Sequence, residues 1–288
     1  MLSIACTEWR STHEDLICVH LRRSAAKQTL ISVLQLGTVD YSTGLRLQQR
    51  LVELRKDAKI GDTLLLLEHT PVITMGRNAK AANIIASREE LLRRGVEVFE
   101  CNRGGDVTFH GPGQLVTYPI FDLRGMTSTE GKRKTLGAIE YVRRLEEVLI
   151  RTCADDFKIP TKRVAGLTGV WTSEGGEAKI AAMGVHISRA VTSHGFALNV
   201  NTNLDYFNLI VPCGIAAKPV TSMAKELGRE LGLEEVAHSV SRNFGAVFQS
   251  QMLWLESLDD LIGPSVGVPL RTPGELRKLH GEEDTTWA

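Results

Sequence analysis

A glycine-rich stretch between two apolar segments limits the possible folds of this 288-residue chain more than any other part of it. The stretch is RGGDVTFHGPGQL, residues 103–115, with five glycines and prolines and one histidine. Glycine loses the most conformational entropy on folding, so this density indicates that something approaches the backbone closely there. We interpret the stretch as the entrance to a site. The alternative is a tight loop in which Gly105 and Gly111 only supply positive φ.

The known phosphate-binding patterns do not explain this stretch. The pattern GxxxxGK[ST] is absent, and no GxGxxG opens a helix after a strand. Arg103 and His110 instead lie at the two ends of a segment with few large side chains. Such a loop can offer backbone N–H groups to a ligand carbonyl and leave room for an apolar chain. A lone histidine is also typical of a hydrogen-bonded core residue, and that alternative stays open here.

The composition excludes several classes of function. The chain is 43% hydrophobic and 24% charged, with a net charge of zero, so we expect a soluble globular protein that binds neither nucleic acid nor a membrane. Its five cysteines lack metal-ligand spacing, which argues against a disulfide framework or a zinc site and favours a cytoplasmic protein. We expect no cofactor and no metal. The first 30 residues contain acids and lack a signal-peptide core, so we interpret them as an extension.

Hydrophobic periodicity predicts alternating strands and helices without an internal repeat. GDTLLLLEHTPVITMG is typical of two buried strands interrupted near Pro71. A helix is predicted in RKTLGAIEYVRRLEEVLIRTC, where apolar residues from Ile139 to Leu149 recur at helical spacing. The stretch from GVWT to KIAAMGVHIS suggests a hairpin with its turn at SEGGE, and SVSRNFGAVFQSQM predicts a late amphipathic helix. These patterns favour one α+β domain.

Two residues in apolar strand-like segments are candidates for nucleophilic chemistry. Lys179 lies in EAKIAAMGVHIS, and Cys213 lies in IVPCGI. A cysteine nucleophile reacts as its thiolate, and at an ordinary pKa near 8.5 only about 3% is ionised at pH 7. A neighbouring ammonium favours the charged form. The alternatives are an exposed hairpin lysine and a buried structural thiol, and the spacing alone does not show that the two residues touch.

Three blocks of the sequence together resemble a known enzyme family. RGGDVTFHGPGQLVTYPIFDL, KIAAMGVHISRAVTSHGFALNVN and IVPCGI are similar to the signature of the octanoyl-carrier-protein:protein octanoyltransferases of lipoate biosynthesis. The resemblance runs from about Leu34 to about Leu231, with the blocks in the family's order. It implies a mixed β-sheet flanked by helices, as in the biotin and lipoate protein ligases. The catalytic domain would span residues 31–255, between an N-terminal extension, 1–30, and a C-terminal tail, 256–288.

The resemblance also implies roles for individual residues. Cys213 would hold the acyl group as a thioester, and Lys179 would lower the pKa of Cys213. Met183 stands where the family commonly has isoleucine, a conservative difference. The implied substrate-binding residues are Arg103, Gly104, Gly105, Asp106, Val107, Thr108, Phe109, His110, Ala182, Met183, Gly184, Gly195, Phe196 and Ala197.

The reaction implied is transfer of an octanoyl or lipoyl group from acyl carrier protein to one lysine of a lipoyl domain. The acceptors would be the lipoyl domains of 2-oxoacid dehydrogenases and the glycine cleavage H protein, and we expect a monomer. Carrier proteins and lipoyl domains are generally acidic where they dock, so Lys132–Lys134 and Arg143–Arg144 are basic candidates. A solvated helix face is the alternative for these residues.

Three other functions are compatible with parts of this pattern. An ATP-dependent lipoate or biotin ligase would share the fold, but it would carry a basic glycine-rich adenylate loop and have no need of Cys213. A non-catalytic protein that binds carrier or lipoyl domains would not be expected to retain Lys179, His110 and Cys213 together. A redox thiol is disfavoured because Cys213 has no CxxC partner.

Overall fold

The computed structural model of the protein describes residues 29–126, 128, 135–211 and 218–263. Its strands are β1 Thr29–Val39, β2 Asp62–His69, β3 Val72–Met75, β4 Glu97–Glu100, β5 Val107–His110, β6 Gln114–Ile120, β7 Thr161–Val164, β8 Leu167–Thr172, β9 Lys179–Ser188, β10 Val191–Asn199 and β11 Ser250–Trp254. Eight of them form one sheet with the order β11-β1-β2-β6-β10-β9-β8-β7. β1 pairs in parallel with β2 and β11, and the other neighbours pair antiparallel, so this large sheet is mixed.

Helices cover both faces of the large sheet. They are α1 Tyr41–Lys56, α2 Arg88–Arg93, α3 Ala138–Arg151, α4 Met223–Leu227, α5 Leu233–Phe248 and α6 Leu258–Ile262. The α1 helix begins after Asp40, whose carboxylate accepts a hydrogen bond from the Thr43 backbone N–H. Ser257 and Asp260 form a capping box at the start of α6.

The leucines of strand β2 contribute alternately to two hydrophobic cores, one on each face of the large sheet. Successive side chains of a strand point to opposite faces. Leu64 and Leu66 therefore join the core under α3 and α5, and Leu65 and Leu67 join the core under α1 and α6. A central strand buried on both faces needs apolar residues at every position, which explains the uninterrupted LLLL.

A second, three-stranded sheet with the order β4-β3-β5 covers one region of the large sheet. Its own small core contains Ile73, Val107 and Phe109, packed against Phe207 and Leu209. From β5 the chain passes through residues 111–113 directly into β6 of the large sheet. Gly113 in this turn has φ +78°, and a Cβ there would lie 2.7 Å from the Asn201 carbonyl oxygen. The glycine is required because the backbone of residue 201 packs directly on the turn.

The α+β fold with a mixed sheet flanked by helices is confirmed. The hairpin with its turn at SEGGE is present as β8 and β9. Ile139, by contrast, is 81% exposed because α3 buries a face that includes Tyr141 and Leu145 instead. The late helix α5 begins at Leu233, before the predicted segment, and the residues SQM after it belong to β11.

The predicted domain boundaries at residues 30 and 255 stay predictions. β1 begins at Thr29, and Leu258 of α6 packs into the core under α1. Within the described ranges, no helix is both long enough and apolar enough to cross a membrane.

Candidate active site

An open cleft of about 470 Å³ lies between the large sheet and the small sheet. Most of the surrounding side chains belong to β5, β6, β9, β10 and the loop before β5. The lining residues are Tyr41, Arg103, Gly105, Asp106, Thr108, His110, Val116, Tyr118, Ala182, Met183, Gly184, His194, Gly195, Phe196 and Ala197.

Small residues on two neighbouring strands form the floor of the cleft. Ala182 lies opposite Ala197, and Gly184 lies opposite Gly195, in the antiparallel pair β9–β10. A Cβ on Gly184 would lie 2.5 Å from the Gly104 carbonyl oxygen and 3.0 Å from Arg103 Cδ. Residue 184 must therefore be a glycine, because the glycine-rich loop packs directly on its backbone. This close approach accounts for the glycine density of residues 103–105.

The loop before β5 is fixed to its surroundings by hydrogen bonds. Gly104 N–H donates to the Val185 carbonyl oxygen at 3.0 Å. The carboxylate of Asp106 accepts from Asn83 Nδ2 at 2.6 Å and from the Val107 N–H at 2.7 Å. These contacts make the loop a defined wall of the cleft.

Arg103 is a buried cation at this wall, with 7% of its surface exposed. Its Nε and Nη2 donate to Thr74 Oγ1, at 3.1 and 2.9 Å, and Nη2 also donates to the Thr74 carbonyl oxygen at 2.6 Å. Nη1 donates to the Gly104 carbonyl oxygen at 3.1 Å. The planar guanidinium is thus held by neutral oxygen atoms at fixed positions.

A chain of hydrogen bonds connects Arg103 to the far end of β9. Arg103 donates to Thr74 Oγ1, which lies 3.4 Å from His110 Nε2. His110 Nδ1 then bonds to Gln114 Oε1 at 2.7 Å, and Gln114 Nε2 donates to Asn199 Oδ1 at 2.8 Å. Asn199 Nδ2 donates to the Thr221 carbonyl oxygen at 2.9 Å, and the Thr221 N–H donates to the Lys179 carbonyl oxygen at 2.9 Å. The chain crosses from the small sheet to the large one.

The bonding partners define the protonation state of His110. The amide nitrogen of Gln114 donates to Asn199 and to the Phe109 carbonyl, so its oxygen accepts from His110 Nδ1–H. Nε2 then accepts from the Thr74 hydroxyl. Burial, with the nearby His69 and Arg103, lowers the pKa of His110 to about 3. His110 is therefore neutral at pH 7.

A second histidine, His69, orients a tyrosine of the cleft. Its Nδ1 lies 2.7 Å from the Val39 carbonyl oxygen, which can only accept, so Nδ1 carries the proton. Nε2 accepts from the Tyr118 hydroxyl at 2.7 Å. Burial lowers the pKa of His69 to about 4, so this arrangement persists at neutral pH.

His194 is the third neutral histidine beside the cleft. Its Nε2 lies 2.7 Å from Asn102 Oδ1, and its backbone N–H donates to Gln48 Oε1. Burial, reinforced by the charge of Arg103, lowers the pKa of His194 to about 3. With His69 and His110 it places three neutral imidazole rings near the charged guanidinium of Arg103.

Lys179 begins β9, three residues before the floor residue Ala182. The lysine is 8% exposed, so the alternative of an exposed hairpin residue is wrong. Its Nζ lies 4.7 Å from the ring centroid of Trp171, and its backbone N–H donates to the Pro219 carbonyl oxygen at 2.8 Å. The lysine does not line the cleft itself; it lies beyond one end of the floor.

Most of the substrate-binding residues predicted from the sequence meet at the cleft. Gly104, Val107 and Phe109 do not line it: Gly104 lies against Gly184, and the two apolar side chains lie in the core of the small sheet. Alternation along β5 explains the difference, because Thr108 and His110 face the cleft and their neighbours face away. Cys213 lies outside the described residues, as do Lys132–Lys134.

Sequence reasoning missed four aromatic or histidine residues of the site: Tyr41, His69, Tyr118 and His194. His69 ends the strand β2 after its apolar run Leu64–Leu67, and a fully buried polar residue at that position is the available signal. The segment EHTP was interpreted only as a break between strands. Tyr41 comes from the first turn of α1, and its ring stacks on His110 with centroids 6.4 Å apart, a contact that no local pattern indicates.

Solved structures place this architecture in a known class. The structure of a bi-partite lipoate protein ligase from Thermoplasma acidophilum superposes with a TM-score of 0.61 at 14% identity, covering 83% of this chain and 92% of that one. Lipoate-protein ligase A bound with ATP gives a TM-score of 0.60 at 13% identity, covering 80% and 88%. At such identities the likeness concerns the fold alone. The fold is that of a lipoate protein ligase catalytic domain.

Sequence comparison makes the assignment specific. The model of the lipoyl protein ligase A/B catalytic domain matches residues 40–245, and the chain belongs to this family. An octanoyltransferase of Koribacter versatilis is 65% identical over 254 residues, 88% of this chain and 98% of the relative. One from Acidobacterium capsulatum is 59% identical over 238 residues, 81% and 96%. The resemblance found in the sequence motifs is thereby confirmed.

Proposed function

We propose that this protein transfers an octanoyl group from octanoyl acyl carrier protein to a specific lysine of a lipoyl domain, through a thioester on Cys213. The proposal is carried by one juxtaposition: a buried lysine lies at the end of a cleft whose floor consists of small residues. The high identity to relatives named octanoyltransferase supports the same activity. The cysteine pattern favours a cytoplasmic location for the reaction.

The cleft suits an unbranched apolar chain. Ala182, Gly184, Gly195 and Ala197 line the cleft with little side-chain volume, and Val116 and Phe196 add apolar surface. From Lys179 to Gly184 the strand extends about 16 Å, at 3.3 Å per residue. An extended eight-carbon chain, about 9 Å long from its bond lengths, fits within that distance. We therefore assign the cleft to the acyl chain, with its carbonyl toward Lys179.

The assignment of Cys213 as the nucleophile is supported by described residues on either side of it in the chain. The described residues on either side of its segment are Val211 and Lys218. Val211 N–H donates to the Asn83 carbonyl oxygen, and Asn83 also bonds to the cleft residue Asp106. Lys218 lies over the same Trp171 ring as Lys179, with Nζ 5.2 Å from the centroid. The described residues on both sides of the segment therefore lie near the cleft or near Lys179, which supports the proposed role of Cys213.

The proposed reaction has two balanced steps. In the first, Cys213 Sγ attacks the thioester carbonyl of octanoyl acyl carrier protein, and the carrier leaves as its free thiol. In the second, the lysine amine of a lipoyl domain attacks the Cys213 thioester, an amide forms, and the thiol of Cys213 is restored. Lys179 would favour the thiolate of Cys213 by its positive charge. The exchange of one thioester for another needs no ATP.

The basic residues predicted for docking divide into two groups. Lys132–Lys134 lie outside the described residues and stay candidates. Arg143 pairs with Glu146 at 2.7 Å, and Arg144 pairs with Glu140 at 2.9 Å. Because both arginines already have carboxylate partners on their own helix, we consider Lys132–Lys134 the stronger candidates for docking an acidic carrier protein or lipoyl domain.

Intact-mass spectrometry tests the proposal directly. Wild-type protein incubated with octanoyl acyl carrier protein, without acceptor, is expected to gain the mass of one octanoyl group. The Cys213→Ser variant is expected to gain none under the same conditions, and lipoyl domain added to the loaded wild type should remove the group. Absence of the adduct on wild type would favour a non-catalytic carrier-binding protein. Modification of a lipoyl domain from octanoate and ATP would identify a ligase instead.

A further inference from the structure

Trp171 lies next to the buried Lys179 in a position that the scheme above does not explain. The two residues are partners in the antiparallel pairing of β8 and β9. Trp171 is 1% exposed, and Lys179 Nζ lies 4.7 Å from the centroid of its ring. An ammonium within about 6 Å of an aromatic face is attracted by the ring quadrupole, most strongly for tryptophan. The burial of both groups reduces screening of this attraction by water.

Packing alone does not account for a tryptophan at this position. Among the described residues, its indole N–H has no hydrogen-bond acceptor although it is buried. A buried indole N–H usually finds a partner, and an unsatisfied buried donor is destabilising. Phenylalanine would supply an aromatic ring without that cost. The feature that tryptophan adds is the stronger attraction of its face for a cation.

The backbone of β8 also makes room for the lysine. Gly169 has φ +126°, and a Cβ there would lie 2.7 Å from the Ala181 carbonyl oxygen and 3.5 Å from Lys179 Cε. The buried carboxylate of Glu146 accepts a hydrogen bond from the Gly169 N–H at 3.2 Å. The aliphatic part of Lys179 therefore passes over a bare stretch of β8 on its way to the indole ring.

A second cation near the same ring is held differently. Lys218 Nζ lies 5.2 Å from the Trp171 centroid and pairs with Glu177, which also binds Lys162 at 3.0 Å. The charge of Lys218 is thus balanced by a carboxylate on a partly exposed surface. The ring face adds an attraction for Lys179 at a buried position, without a negative charge of its own.

We propose that Trp171 is a positioning residue, whose ring face holds the Lys179 ammonium where it stabilises the thiolate of Cys213. The inference rests on the proposed function, because it assumes that Lys179 acts on Cys213. It predicts that removal of the ring changes the ionisation of the cysteine even though the scheme gives Trp171 no chemical step.

The pH dependence of cysteine alkylation tests this proposal. Iodoacetamide labelling of Cys213, followed by peptide mass spectrometry, is measured from pH 6 to 10 for wild type, Trp171→Phe, Trp171→Leu and Lys179→Met. Labelling at pH 7 is expected to fall about tenfold in Lys179→Met, which corresponds to a shift of one pH unit in the profile. Trp171→Leu should shift the profile by most of that pH unit, and Trp171→Phe should shift it by a smaller part. At high pH the rates should converge.

Trp254→Leu serves as the matched control, because it removes a tryptophan from β11 at the opposite edge of the sheet. Its profile should equal that of wild type. A shift with Lys179→Met but none with either Trp171 variant would overturn the positioning role alone. An unshifted profile in Lys179→Met would overturn the action of Lys179 on Cys213, and the inference with it. If Trp171→Leu fails to fold, the labelling profile of Trp171→Phe tests the proposal by itself: an intermediate shift supports the positioning role, and an unshifted profile overturns it.

Discussion

The two buried cations of the site, Arg103 and Lys179, are held in contrasting ways. Arg103 is bound by hydrogen bonds to two oxygen atoms of Thr74 and to the Gly104 carbonyl. Lys179 lies over an indole face at the other end of the floor. A planar guanidinium bound by several acceptors has little freedom to move, whereas a compact ammonium on a ring can shift toward a neighbouring group.

This contrast separates two tasks that both need a positive charge. Arg103 connects the glycine-rich loop to β3, and its bonds are made to the protein itself. Lys179 keeps its charge for chemistry in the proposed mechanism. If the proposed mechanism holds, the charge buried for structure and the charge buried for reaction have different surroundings, and exchange of the two residue types tests this difference.

The largest effect is expected when Lys179 is replaced by arginine. The charge is kept, but the larger planar group meets the β8 backbone at Gly169 and cannot take the position of the ammonium. Octanoyl transfer to a lipoyl domain should fall roughly a hundredfold, measured as initial rate. Lys162→Arg, a surface lysine nearby, should retain the wild-type rate. Full activity of Lys179→Arg would mean that charge alone suffices there.

The reciprocal replacement, Arg103→Lys, should act mainly on stability. Lysine cannot reproduce the fork of hydrogen bonds, so the Thr74 and Gly104 oxygens lose donors in a buried place. We expect a loss of about 2 kcal/mol in the free energy of unfolding, measured by urea denaturation. The exposed Arg77→Lys should change it by less than about 0.5 kcal/mol. An unchanged stability in Arg103→Lys would contradict the structural role.

The smallest effect concerns His110, which the charge of Arg103 helps to keep neutral. Its pKa is about 3 in the folded protein and near 6.5 in an unfolded chain. Below pH 6.5 the unfolded chain therefore binds a proton that the folded protein does not, and stability falls as pH falls toward 3.

His110→Gln removes this proton linkage. Between pH 7.5 and 5.5 the variant should lose about 1 kcal/mol less stability than wild type, measured by urea denaturation at both values. His238→Gln, on an exposed face of α5, is the control. An identical pH dependence in His110→Gln and wild type would show that His110 is not kept neutral by burial.

The sequence predicted the parts of the site that depend on local pattern. The glycine-rich loop, the small residues of β9 and β10, and the burial pattern of β2 all follow from short stretches of residues. Period-two alternation along β5 predicts that Thr108 and His110 share one face, whereas the motif as a whole also includes Val107 and Phe109. Their side chains face the small core instead.

The contacts that cross the sheets could not be predicted in the same way. Tyr41 meets His110, and His69 meets Tyr118, only because α1, β2, β5 and β6 pack together. Likewise, nothing in the segment GVWT indicates that Trp171 covers Lys179, since the pairing of β8 with β9 sets that distance. Periodicity identifies which face a residue occupies, and the tertiary arrangement decides which residue it meets.

The hydrogen-bond chain from Arg103 through His110 to Thr221 has a consequence for the spacing of the site. Its links join β3, β5, β6 and β10, and its last bond reaches the backbone of Lys179. The guanidinium and the start of β9 are thus connected through buried side chains, each of which must keep its rotamer for the chain to persist. A substitution at Gln114 or Asn199 would therefore disturb the anchoring of Arg103 and the start of β9 together.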